Sequence, residues 1–188
     1  MDIITVETRD MKVKAKQLRK AGKVPCSVYG GALPEALSIQ MDQQAANTLM
    51  QNHRDGSQVG LKLNGKVIPT QIKENTRNFA NHNVEHLAFQ ALKADQPVHS
   101  VAHILVKNAE NVPGVLERIL YEVSYSSLPE YMIDTVTIDL EGKPVGTVIT
   151  VADIPEFNDE HVTVNQEPDS IVLRISDIKR GGAEDAEE

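Results

Sequence analysis

The stretch VGLKLNGKVIPTQIKE, residues 59–74, alternates apolar and polar side chains on either side of Asn64-Gly65. Two alternating runs joined by Asn-Gly predict a β-hairpin, because both central residues of a two-residue turn take positive φ and these two residue types tolerate it. Upstream, Ile4, Val6 and Thr8 alternate with Thr5 and Glu7 and predict an opening strand that ends near Arg9. VPCSVYGG, residues 24–31, reads as a further strand closing in a glycine turn. Downstream, alternation resumes from Val84 to Leu92, with Leu87, Phe89 and Ala91 on one face and His86, Ala88 and Gln90 on the other. Leu87 and Phe89 are expected inside and His86 outside.

Two short helices interrupt these strands. The basic segment MKVKAKQLRKAG, residues 11–22, is expected to be helical from about Val13 and to stop at Gly22. Asp42 is expected to cap a second helix, in which Ala45, Ala46, Leu49 and Met50 recur at helical spacing as one apolar core stripe. Several short strands with little helix point to a small β-barrel or rolled sheet. Around Lys93–Pro97 the pattern breaks, and beyond it PVHSVAHILV, VLERILYEVSY, DTVTIDL, GTVITV, HVTVN and SIVLRI are β-branched runs divided by turn residues. The fold class expected is therefore mainly β with a few short helices. Residues 1–94 form a barrel domain, residues 95–176 an acidic β-rich domain, and residues 177–188, highly charged with no apolar spacing, a disordered tail.

The 188 residues, 40% of them hydrophobic, suffice for two small cores. No apolar run reaches the ~20 residues a membrane helix needs, and the start MDIITVETRD lacks the basic and apolar regions of a signal peptide. A cytoplasmic protein is expected, with no membrane partner. The lone Cys26 allows no internal disulfide or zinc cluster and reads as a buried strand residue. The net charge of −8 is uneven: 13 Lys and Arg against 8 Asp and Glu up to Ala94, then 6 against 19. A basic half of net +5 joined to an acidic half of net −13 suggests that the first half meets a polyanion.

No catalytic grouping stands out. His82 and His86, and likewise His99 and His103, are four apart, but without Cys partners or an intervening HExxH glutamate the metal signal is weak. Asp134 and Asp139 sit in a β run as ordinary surface acids, and YGGALPE matches neither glycine-rich phosphate cradle. No enzyme, cofactor or metal site is expected. What remains is Arg9, Lys12, Lys14, Lys16, Arg19, Lys20 and Lys23, seven cations in fifteen residues against Asp10 alone. Such a cluster is an electrostatic footprint for phosphates. Aromatics make up 4% of residues, too few for a single-strand stacking platform, so structured RNA read through its minor groove and phosphates fits such a surface better, and no DNA partner is expected.

KQLRKAGKVPCSVYGG, residues 16–31, resembles the pattern R-x-L-R-x-x-G-K-[IV]-P-x-x-[IV]-Y-G-G of the bacterial large-subunit ribosomal protein L-twenty-five family. EHLAF at Glu85–Phe89 stands where that family has H-[IV]-D-F, and SSLPEYMIDTVTIDLEGKPVGTVITVADI is similar to the extra domain of its long, Ctc-type (general stress protein) members. The resemblance implies a barrel that binds the loop E region of 5S rRNA in the 50S subunit, and no catalysis. It further implies that Arg9 meets the RNA and that Lys16, Arg19 and Lys20 lie on phosphates, and Lys14 of the same basic run is expected to join them. By the same resemblance Tyr29 and Gly30 shape the adjoining turn, Arg77 matches the arginine of the family's Q-R-[HD]-P segment, and His86 the histidine of H-[IV]-D-F. The chain departs from the pattern at Thr76, Phe79 and Ala88, where the family has glutamine, proline and aspartate. Loss of the glutamine and aspartate polar groups, at Thr76 and Ala88, predicts retained affinity with reduced selectivity. The alternative is a divergent protein off the ribosome whose acidic domain contacts a protein partner.

Overall fold

The Asn64-Gly65 turn forms with φ of 50° and 82°, and β4 (Gln58–Leu63) runs back along β5 (Lys66–Arg77) with Leu63 opposite Lys66 and Val59 opposite Thr70. The computed structural model describes residues 2–31 and 33–177. Around the hairpin, β1 (Asp2–Thr8), β2 (Lys23–Tyr29), β3 (Leu37–Asp42) and β6 (Val84–Ala91) complete a closed barrel in the order β1-β3-β2-β6-β5-β4. Closure comes from a parallel ladder between β1 and β4, and β2 also lies parallel to β6. The remaining pairs are antiparallel. The expected barrel is borne out.

Alternation fills the interior. Val24, Cys26 and Val28 of β2 face Leu87 and Phe89 of β6, with Ile39, Met41, Leu61 and Ile72 completing the core. Burial pushes the Cys26 thiol up to about 12, so it stays protonated as a small core side chain. The helix α2 (Gln43–Asn52) closes one end of this core with Ala46, Leu49 and Met50 of the expected stripe, while its fourth member, Ala45, is only half-buried.

Asp42 occupies the N-cap position of α2, but its side chain makes no capping bond. Its carboxylate takes the Lys23 ammonium instead, at 2.9 Å. The helix α1 (Ala15–Lys20) is shorter than expected: it has no side-chain cap, no acid in its first turn and only Leu18 buried. Lys14 and Lys16 at its N-terminal end oppose the helix dipole there, so little holds the preceding residues helical.

The glycine turn after β2 is a steric requirement. Gly31 has φ of +60°, and a Cβ there would come within 2.6 Å of the Ala91 carbonyl oxygen at the end of β6. The overlap is with backbone, which cannot move aside cheaply. We expect Gly31→Ala to cost about 2–4 kcal/mol, through the left-handed conformation and the collision together. A urea denaturation midpoint equal to that of the unsubstituted chain would contradict this.

Among the described residues the chain groups into two units, one ending at Val101 and rejoined by Ser126–Asp134, the other made of Ala102–Tyr125 and the chain from Thr135 onward. Beyond the barrel, β7 (Val98–Lys107), β9 (Glu122–Ser127), β10 (Thr135–Asp139) and β12 (Val162–Val164) form a sheet in the order β10-β7-β9-β12. A second sheet has the order β11-β13-β8, from β8 (Val115–Arg118), β11 (Val148–Thr150) and β13 (Ile171–Ser176). Tyr125, Ile104, Leu140, Leu173 and Ile175 are fully buried, and the Tyr125 ring lies 6.4 Å from that of Phe157. The run VLERILYEVSY is two strands in different sheets, not one. It breaks because the amides of Ile119 and Leu120 both donate to the Val172 carbonyl, while Arg118 turns over the Tyr121 ring at 4.6 Å. The tail expected over residues 177–188 lies, apart from Asp177, outside the described residues.

Candidate nucleic-acid interface

The outer face of the barrel is set by the same alternation that fills its core. Ser27 and Tyr29 of β2 stand beside Ala88 and Gln90 of β6, and β5 continues the face with Glu74 opposite Ala88 and Thr76 opposite His86. Val6 points inward, so Glu7 and Arg9 point outward, and the Arg9 amide donates to the Ser38 carbonyl of β3 at 3.1 Å. From α1, Arg19 reaches across to β6, where its Nη1 donates to the Glu85 carbonyl at 3.3 Å.

Arg9, Arg19 and His86 thus converge. Burial, first, holds the His86 imidazole below its ordinary 6.5; Glu74 opposes that, and the charges of Arg9 and Arg19 reinforce it. At neutral pH His86 is therefore an uncharged donor and acceptor within the field of two guanidinium charges. With a depressed folded-state pKa, its contribution to stability is fully present above 6.5 and is lost as pH falls through the folded value. We expect an imidazole titration followed by NMR in the free protein to have its midpoint below 6.5. A midpoint above it would mean that Glu74 outweighs the other influences. The Nε of Arg9 is buried and has no acceptor among the described residues, which leaves a donor facing a cost of about 1–3 kcal/mol until one is supplied.

Beside this group lies a groove of about 440 Å³ lined by Lys16, Arg19 and Lys20 of α1 and Asn78, Asn81 and Asn83 of the β5–β6 connection, with Glu85 of β6, whose carboxylate accepts from Asn78, as its one acid. Lys14, Lys16 and Lys20 are exposed, and none has an ion-pair partner among the described residues. The three asparagines were not singled out from the sequence, although the spacing N-x-x-N-x-N is what self-hydrogen-bonding turn residues produce.

Not every cation of the basic run joins the face. Lys23 is held by Glu7 at 3.3 Å and Asp42 at 2.9 Å, so its charge is answered within the protein. Arg77 is set apart as well. A register shift between Thr76 and Arg77 turns its Nη2 toward the Met50 carbonyl near the end of α2, at 2.9 Å, where it satisfies a carbonyl the helix leaves open. Tyr29 lies further along the outer face at 40% exposure, and Gly30, with φ of +77°, passes close over the Gln90 side chain. Ala88 faces outward but is 7% exposed, because its methyl group sits low between ladder neighbours. The position is less open to a ligand than alternation alone implies. Among the described residues no His, Cys, Asp or Glu group is arranged to hold a metal, and no helix is long and apolar enough to cross a membrane.

Comparison with known proteins places this geometry in a class of ribosomal proteins. The Ribosomal L25p family matches residues 4–89, and the family described as Ribosomal protein TL5, C-terminal domain, matches residues 91–179. Proteins called large ribosomal subunit protein bL25 are similar along most of the chain. That of Caldanaerobacter subterraneus subsp. tengcongensis is 25% identical over 194 residues, covering 100% of this chain and 96% of the relative. Those of Exiguobacterium sibiricum and Bacillus licheniformis are 27% and 26% identical, covering 85% and 93% of this chain and 72% and 85% of the relatives. The chain belongs to the bacterial Ribosomal L25p family, in its two-domain form. That family is structural and not enzymatic.

Proposed function

We propose that this protein is a structural constituent of the large ribosomal subunit that binds 5S rRNA, at its loop E region, through the basic outer face of the barrel. The names of its relatives support the ribosomal part of that function. The observation that carries the RNA-binding part is the convergence of Arg9 and Arg19, far apart in the chain, on His86, next to a groove with unanswered lysines. Lys14, Lys16 and Lys20 meet phosphates as mobile point charges, while Arg9 and Arg19 offer fixed donors. His86, uncharged, reads a hydroxyl or a base edge. Tyr29 and Gly30 bound the far end of the face, and Arg77 contributes by fastening α2 instead of touching RNA.

The domain over residues 1–94 carries this face. The acidic domain over residues 95–176 is repelled by phosphate and, with Val115, Ile119, Tyr121 and Val148 exposed, suits a protein partner. A gel shift of the full chain with 5S rRNA, against an unrelated structured RNA of equal length, tests the function. Binding to 5S rRNA at low salt is expected, with a reduced but measurable preference over the control. No binding at low salt would overturn it. Sedimentation of the protein outside the 50S fraction would favour a role off the ribosome.

A further inference from the structure

We infer that Phe79 is a base-stacking residue, which takes an unpaired nucleobase of the bound RNA onto its ring at the rim of the lysine-lined groove. The inference rests on the RNA-binding function proposed above and names a contact within it. Phe79 is 98% exposed, the most exposed large apolar side chain among the described residues. It sits in the β5–β6 connection between Asn78 and Asn81, both of which line the groove with Lys16, Arg19 and Lys20.

The connection is held in place. The Asn78 amide donates to the Asn83 carbonyl at 2.9 Å, and the His82 amide to the Asn78 carbonyl at 2.8 Å. Side chains tighten it further. Asn78 Oδ1 accepts from the Ala80 amide at 2.9 Å, and its Nδ2 donates to Glu85 Oε1 at 2.9 Å. Asn83 Oδ1 accepts from Asn47 of α2 at 3.0 Å. A segment tied at both ends to β6 and α2 cannot fold its phenyl ring back into the core. It also loses little conformational freedom when a ligand seats on that ring.

Charge selects the ligand. Phe79 belongs to the connection whose asparagines share a groove with Lys16 and Lys20, so a partner seated there brings an aromatic face together with negative charge, as an unpaired nucleotide does. The scarcity of aromatics argues against a platform for a long single strand, but one ring is enough for one base displaced from a structured RNA. At this position the resemblance implies proline, so the contact is this chain's own addition. It offers recognition near where Thr76 withdraws it.

The test uses the full chain and a 5S rRNA transcript. Phe79→Ala is expected to weaken binding about ten- to a hundredfold, the range for losing one stacked base, with the salt slope unchanged because no phosphate contact is lost. The chain has no tryptophan, so Phe79→Trp creates a lone tryptophan that can be excited apart from the four tyrosines. It should retain affinity and be quenched on saturation with 5S rRNA, but not with a fully paired RNA duplex. Phe79→Ala binding as tightly as the unsubstituted chain would overturn the inference, as would unchanged tryptophan emission in the saturated complex or equal quenching by the duplex. A ring that docks on protein would give the first two results. If the unsubstituted chain itself does not bind 5S rRNA, the parent function falls and the inference with it. If it does bind, only the stacking role is at stake.

Discussion

Raising the salt concentration tenfold should weaken binding of this protein to 5S rRNA by about four orders of magnitude. The size of the effect follows from which cations are free. Arg9, Lys14, Lys16, Arg19 and Lys20 have no carboxylate partner among the described residues, whereas Lys23 is neutralised by Glu7 and Asp42. Five phosphate contacts, at a slope of about 0.9 per phosphate on the duplex rule, give the stated loss. The net charge of −8 does not prevent this. At physiological ionic strength charges are screened over about 8 Å, so a phosphate feels the local face and not the chain's total. Binding measured from 50 to 500 mM salt checks it. A slope near one would mean that only one of these five cations meets a phosphate.

Phe89→Ala should destabilise the barrel by about 3–5 kcal/mol, a large part of the ~5–15 kcal/mol by which a domain is ordinarily stable. Phe89 is fully buried, opposite Val28 on one side and Ile72 on the other, so truncation leaves a cavity that three strands cannot collapse into without breaking their ladders. RNA binding should fail with it. The strand that carries Phe89 also displays His86 and supplies the carbonyl that fixes Arg19. Urea denaturation should show a lower midpoint with Phe89→Ala and an unchanged one with Phe79→Ala, ten residues earlier but 98% exposed. Equal midpoints for the two variants would refute the burial argument.

The hairpin, the inward set on β6 and the stripe of α2 were legible in the sequence because each depends on neighbours within one element or one turn. Side-chain parity and Asn-Gly chemistry need no knowledge of distant partners. The basic cluster was legible as composition, but its sorting was not. Lys23 is answered by Glu7 and Asp42, which come from β1 and the end of β3, and only the barrel register brings them together. Arg77 left the face because of a one-residue irregularity against β6, which no propensity encodes. The same holds in the second unit, where VLERILYEVSY looks continuous until two of its amides are claimed by Val172. Phe79 and the asparagines around it were visible as residues, yet their joint placement beside α1 required the fold.

The parallel ladder between β1 and β4 bears on the order of events as the chain is made. Asp2–Thr8 leave the synthesising ribosome ahead of their partners at Val59–Leu63, which follow only after both α-helices have emerged. Until then the cationic stretch between β1 and β2 is not yet held in a closed barrel and is free to cling to any phosphate near the exit. Ring closure is therefore the moment at which general stickiness gives way to a shaped grip, and slowing it should prolong promiscuous attachment of the newborn chain.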